Sequence, residues 1–85
     1  MYGGLEELVT IECREKLAGA VIDRFGSEPL FTKTDFGFKF SVRVMISPLF
    51  FAWVFGFGSD MRVISPESVK SKIHTYIEGI IKYYE

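Results

Sequence analysis

The segment SPLFFAWVFGFGSD, from Ser47 to Asp60, constrains the fold more than any other. It holds four phenylalanines and the only tryptophan, with no charge before Asp60. The apolar run around it, Val44 to Gly58, is 15 residues long and is interrupted by Ser47 and Pro48. A membrane-spanning helix needs about 20 apolar residues, so length and proline both argue against a membrane segment. Ser47-Pro48 instead reads as a helix start, with serine capping free N–H groups and proline at the first helical position. On a helical wheel Leu49, Phe50, Trp53, Val54 and Phe57 fill one arc, and Phe51, Ala52, Phe55 and Gly56 fill the opposite one. A helix on a sheet buries one arc, so the second needs another cover. The C-terminal helix, a second copy of the chain, or a neighbouring domain would each serve. The plainest expectation is that Phe51 and Phe55 touch the C-terminal helix, because small domains recruit every helix into the core.

The flanking sequence predicts the rest of the frame. Leu8 to Cys13 alternates as a half-buried strand, with Val9, Ile11 and Cys13 inward. Arg14 to Phe25 switches to helical period and Gly26 ends it. Pro29 to Lys33 and Phe38 to Ile46 read as an antiparallel hairpin around the turn Thr34-Asp35-Phe36-Gly37. Met61 to Ile64 reads as a short strand, followed by a second Ser-Pro helix start at Ser65-Pro66. In the last helix, Pro66 to Tyr84, the residues Val69, Ile73, Tyr76, Ile77, Ile80, Ile81 and Tyr84 share one stripe. Their burial would contribute roughly 10–20 kcal/mol gross. The order β-α-β-β-α-β-α predicts an α+β, ferredoxin-like βαββαβ fold with an extra C-terminal helix. Eighty-five residues fit one such domain, over 8–85, and 1–7 with its Gly3-Gly4 reads as a linker remnant. The N-terminus has neither the basic nor the apolar region of a signal peptide.

Chemistry is sparse. Cys13 is the only cysteine and His74 the only histidine. An intrachain disulfide is therefore ruled out, and a reducing, cytoplasmic setting is expected. Cys13 falls on the inward parity, as a core thiol would. His74 flanks the last apolar stripe with no ligand partner at metal spacing. Gly56-Phe57-Gly58 begins like a dinucleotide loop but lacks the third glycine and sits between a helix and a strand in the wrong order. No triad, P-loop or zinc pattern is present. The expected chain is non-catalytic, with no cofactor and no metal.

Net charge is −1, which by itself points to no polyanion partner. The outward strand positions nevertheless sort the charges. Arg14, Lys33, Lys39, Arg43 and Arg62 gather with one acid, Glu12, beside Thr10, Ser41 and the single ring Phe31. A solvated face or a contact with an acidic protein accounts for such a set. Single-stranded nucleic acid is the sharper alternative. Such binding would weaken steeply with salt and be abolished by Lys39→Ala with Arg43→Ala. A small-molecule sensor with a pocket between the Trp53 helix and the sheet is a third reading.

The stretch FKFSVRVMISPLFFAWVFGFGSDMRVISPESVKSKIHTYIEGIIKYYE resembles the C-terminal extension of WYL-domain, deoR-like bacterial transcriptional regulators. The most specific part is W-x-x-x-F-G-x-x-x-x-V-x-x-P at Trp53, Phe57, Gly58, Val63 and Pro66, and LVTIECREKLAGAVIDRFG resembles the family's opening strand and helix. The resemblance implies a ferredoxin-like regulatory and dimerisation domain. Its partners would be a second copy, as a homo-dimer, or the WYL and helix-turn-helix domains of the same chain, through which DNA is bound. The interface candidates are Phe51, Trp53, Phe55, Ile77, Ile81 and Tyr84.

Overall fold

The computed structural model describes residues 6–85. Strand β1 is Glu6–Cys13, followed by a 3₁₀ turn at Glu15–Leu17 and helix α1, Ala18–Phe25. Strand β2 is Thr32–Lys33, β3 is Phe38–Met45 and α2 is Pro48–Phe55. A second 3₁₀ turn, Gly58–Asp60, leads into β4, Met61–Ser65, and α3, Glu67–Lys82. The sheet order is β2-β3-β1-β4, and every neighbouring pair is antiparallel. This is the expected α+β, ferredoxin-like arrangement with an added C-terminal helix.

Register explains the core. Val9 faces Val42, Ile11 faces Phe40, and Cys13 faces Phe38 across β1 and β3. Ile11 and Cys13 face Val63 and Met61 across β4. Alternation places these side chains on one face, where Val21 of α1, Phe50 and Val54 of α2, and Val69 of α3 complete a buried cluster.

Aromatic rings join the layers along two seams. In one, Phe31 packs on Phe38 and Phe40, Phe25 meets Phe40 at 5.7 Å, and Trp53 stands edge-on to Phe25 at 5.4 Å. In the other, Tyr76 of α3 lies 5.2 Å from Phe51 and 6.2 Å from Phe55 of α2. The cap of α2 is the expected one, with the Phe50 N–H donating to Ser47 Oγ.

Several expectations are corrected. Glu6 and Glu7 pair with Met45 and Val44, so the linker reading of 1–7 loses its last two residues, while residues 1–5 lie outside the described part. Ser65 does not cap α3. It pairs with Thr10 in the ladder and so stays in strand geometry, leaving Pro66 at the N-cap position.

On α2 the buried residues Phe50, Val54 and Phe51 span an arc of about 100° that runs from the sheet-facing side onto the second one, where Phe51 and Phe55 meet Tyr76 of α3 as expected. Leu49 falls outside this arc and is 81% exposed. The stripe of α3 is buried only in its first half. Val69 is fully buried, but Ile77, Ile80, Ile81 and Tyr84 are exposed, because the helix runs past the edge of the α2 surface on which Tyr76 rests.

Candidate interfaces on the last helix and the open sheet face

The interface candidates divide cleanly. Phe51 is buried, and Phe55 is half-covered by Tyr76. Trp53 is enclosed by Phe25, by Phe57 at 5.2 Å and by the Arg24 guanidinium at 5.5 Å. These three rings stitch the domain to itself. Ile77 and Ile81 are 37% and 46% exposed, and Tyr84 is 86% exposed. They join Ile80 in continuing the face whose first turns, Val69 and Ile73, pack on the core. One apolar helix face is thus covered at its start and open at its end.

The sheet face turned away from the helices is charged. Parity places Lys39 and Arg43 there, opposite Glu12 and Leu8, with Arg62 also opposite Glu12. Thr10 and Ser41 hydroxyls share a 2.8 Å hydrogen bond. Arg62 donates through Nε and Nη2 to Glu12 Oε1 at 3.1 and 2.8 Å. This fork, with the Thr34 hydroxyl, holds the Glu12 carboxyl below its ordinary value of 4.5 against the opposing effect of burial. The stabilisation is therefore complete above pH 4.5 and fades as pH falls through the lowered value. Glu12→Gln should flatten the dependence of melting temperature on pH below 4.5, measured by circular dichroism. An unchanged slope would show that Glu12 gains nothing from the fork.

Two of the expected outward residues lie elsewhere. Lys33 pairs with Phe38, not with Lys39, so it takes the opposite parity and its ammonium sits 3.4 Å from Glu15. Phe31 packs inward on Phe38 and Phe40. The open face thus holds Arg14, Lys39, Arg43 and Arg62 against Glu6 and Glu12, a weaker excess of positive charge than expected.

The ring on this face is Phe36. The Arg14 guanidinium carbon lies over it at 3.9 Å and that of Arg62 at 4.2 Å. Arg14 also donates to the Phe36 carbonyl at 3.2 Å. The signal for this cluster is topological. The end of β1, the start of β4 and the β2–β3 turn all reach the same end of the sheet. Gly37 permits the approach, since a Cβ there would strike the Cys13 carbonyl oxygen and lie 2.8 Å from Arg14 Cα. Among the described residues, no ion pair engages Arg14, Lys39 or Arg43, whereas Arg62 is held by Glu12.

Cys13 is buried, and burial, with the Glu12 charge, pushes its thiol up to about 11, far from the range of a reactive thiolate. His74 is exposed, with Nδ1 3.7 Å from Glu78. Among the described residues, no three His, Cys, Asp or Glu side chains group to hold a metal ion, and no helix is long and apolar enough to cross a membrane. Two grooves flank α3. One, of about 530 Å³, lies between Ile46, Phe51 and Tyr76. The other, of about 370 Å³, lies between α3 and β4. The second also takes Val54 and Phe55 of α2 into its lining, so it lies beside the Trp53 helix and the sheet, where a pocket is expected, with α3 as its third wall.

No curated protein and no solved structure matches the chain. The model of one protein family, the WCX domain, matches residues 6–81.

Proposed function

Because the chain belongs to the WCX domain family, the C-terminal domain associated with WYL-type regulators, we propose that it is a non-catalytic regulatory and assembly module of a bacterial transcription regulator. In this reading its working surface is the overhanging half of α3, and its partner is a second copy of the chain. DNA is bound through other domains of the same regulator. The observation that carries the proposal is the continuity of the α3 face. Val69 and Ile73 are packed, and the same face runs on through Ile77, Ile80, Ile81 and Tyr84 into solvent. Contiguous apolar surface of this kind marks an interaction site, and an identical stripe on a second copy is self-complementary about a two-fold axis. Light scattering across a concentration series should give twice the mass of the 9.7 kDa chain. A single-chain mass at every concentration would contradict the proposal.

A second reading is favoured by the Arg14–Phe36–Arg62 cluster. A ring bracketed by guanidiniums beside Lys39 and Arg43 offers both stacking and phosphate contacts to a single strand of nucleic acid. Three cations that make no ion pair among the described residues, Arg14, Lys39 and Arg43, predict a slope of log K against log salt of about −2 for a single strand. Lys39→Ala with Arg43→Ala should abolish tight binding and reduce any residual slope to about −0.7. Salt-independent binding, or none to the unsubstituted chain, would eliminate this reading.

A further inference from the structure

The groove of about 370 Å³ between α3 and β4 shares Ile77 with the assembly surface and Arg62 with the open sheet face, and its chemistry is one-sided. Its floor is apolar, formed by Val54, Met61, Val63 and Ile73, with Phe55 at one end. Lys70 and His74 stand on its α3 side and Arg62 on its β4 side, and no carboxylate residue lines it. The Arg62 guanidinium is committed to Glu12 on the opposite face of the sheet. Lys70 has only a long contact of 3.7 Å to Glu67, whose side chain is 84% exposed, a pair of little strength in water. Lys70 is therefore the cation available to a ligand lying in the groove. The volume falls within the range of small-molecule sites.

We infer that this groove binds an organic monoanion with an apolar body, of the class of medium-chain or arylalkyl carboxylates, its chain on Met61, Val63 and Ile73 and its carboxylate at Lys70. The apolar floor supplies the affinity, because burial of hydrocarbon scales with area. The ammonium sets the sign of the head group, because an acid-free rim leaves no partner for a cation.

The test uses octanoate as probe, with octanol and acetate as its uncharged and chain-free counterparts, read by amide chemical shifts on the isotopically labelled chain. Octanoate should saturate, with the largest shifts at Val54, Met61, Val63 and Lys70. Octanol should bind about threefold to tenfold more weakly, and acetate should not saturate. Lys70→Glu, at a half-exposed position, should weaken octanoate by a similar factor and leave octanol unchanged, with the melting temperature preserved. Equal binding of octanoate and octanol, indifference to Lys70→Glu, or shifts centred elsewhere would overturn the inference. So would a groove closed by a second copy, seen as absent octanoate binding together with a change of particle mass in Lys70→Glu. A single-chain mass with octanoate still saturating would remove the assembly proposal and leave this one standing.

Discussion

Phe51→Ala should cost about 3–5 kcal/mol, the usual range for deleting a buried ring, out of a total stability of about 5–15 kcal/mol for a domain. The ring is 6% exposed and is the buried one of the two rings that link α2 to Tyr76 of α3, packed against Tyr76 at 5.2 Å and against Phe50 at 6.1 Å. Deleting it opens a void under α3 that the helix cannot fill by sliding, because Val69 on the same face is already fully buried. Chemical denaturation should show the midpoint falling sharply, with α3 the first element to lose amide protection. A loss below about 1 kcal/mol would mean that α3 is held elsewhere and that the α2–α3 seam is not the closure of this domain.

Gly37→Ala should cost about 1–3 kcal/mol or more, as overpacking does where nothing can yield. The added carbon would meet three backbone atoms, the Cys13 carbonyl oxygen, Arg14 Cα and Glu15 N. None is the end of a flexible side chain. The turn it closes is tied on both sides, with Gly37 N–H donating to Thr34 Oγ1 at 3.0 Å and Thr34 N–H donating to the Gly37 carbonyl at 2.9 Å. Pushing it away also lifts Phe36 from under Arg14. The substitution should therefore lower the denaturation midpoint and weaken any polyanion binding at the open face together. Phe36→Ala should affect only the second. If Gly37→Ala is neutral in stability, the close approach of the turn to β1 is not a feature of the folded chain.

Much of the frame is legible in the residues. The alternation of Val9, Ile11 and Cys13 and of Phe38, Phe40, Val42 and Val44 identifies two strands and their common face, and Ser47-Pro48 marks the start of α2. What is not legible follows from tertiary choices. The β2 strand is two residues long, too short for alternation to set its phase, so Lys33 and Phe31 take the parity opposite to the expected one. Ser65-Pro66 repeats a capping dipeptide, but ladder pairing with Thr10 overrides the local preference. The wheel of α2 sets Phe51 and Phe55 apart from Phe50 and Val54, and α3 covers them as expected, but it does not show that Leu49 stays exposed. Most telling is α3, whose stripe is uniform in sequence from Val69 to Tyr84. Nothing in the periodicity distinguishes the turns that reach the core from those that pass its edge. The Phe36 cluster is invisible along the chain because Arg14, Phe36 and Arg62 meet only through strand order.

The most direct test of the assembly role is the solution mass of the Ile77→Glu, Ile81→Glu chain measured beside the unsubstituted one. Both positions lie on the overhang and are exposed, so charges there leave the core intact, and circular dichroism should show matching melting curves. The unsubstituted chain should be a dimer and the variant a monomer at the same concentration. A dimer that survives both charges would place assembly on another surface and contradict the role assigned to the end of α3.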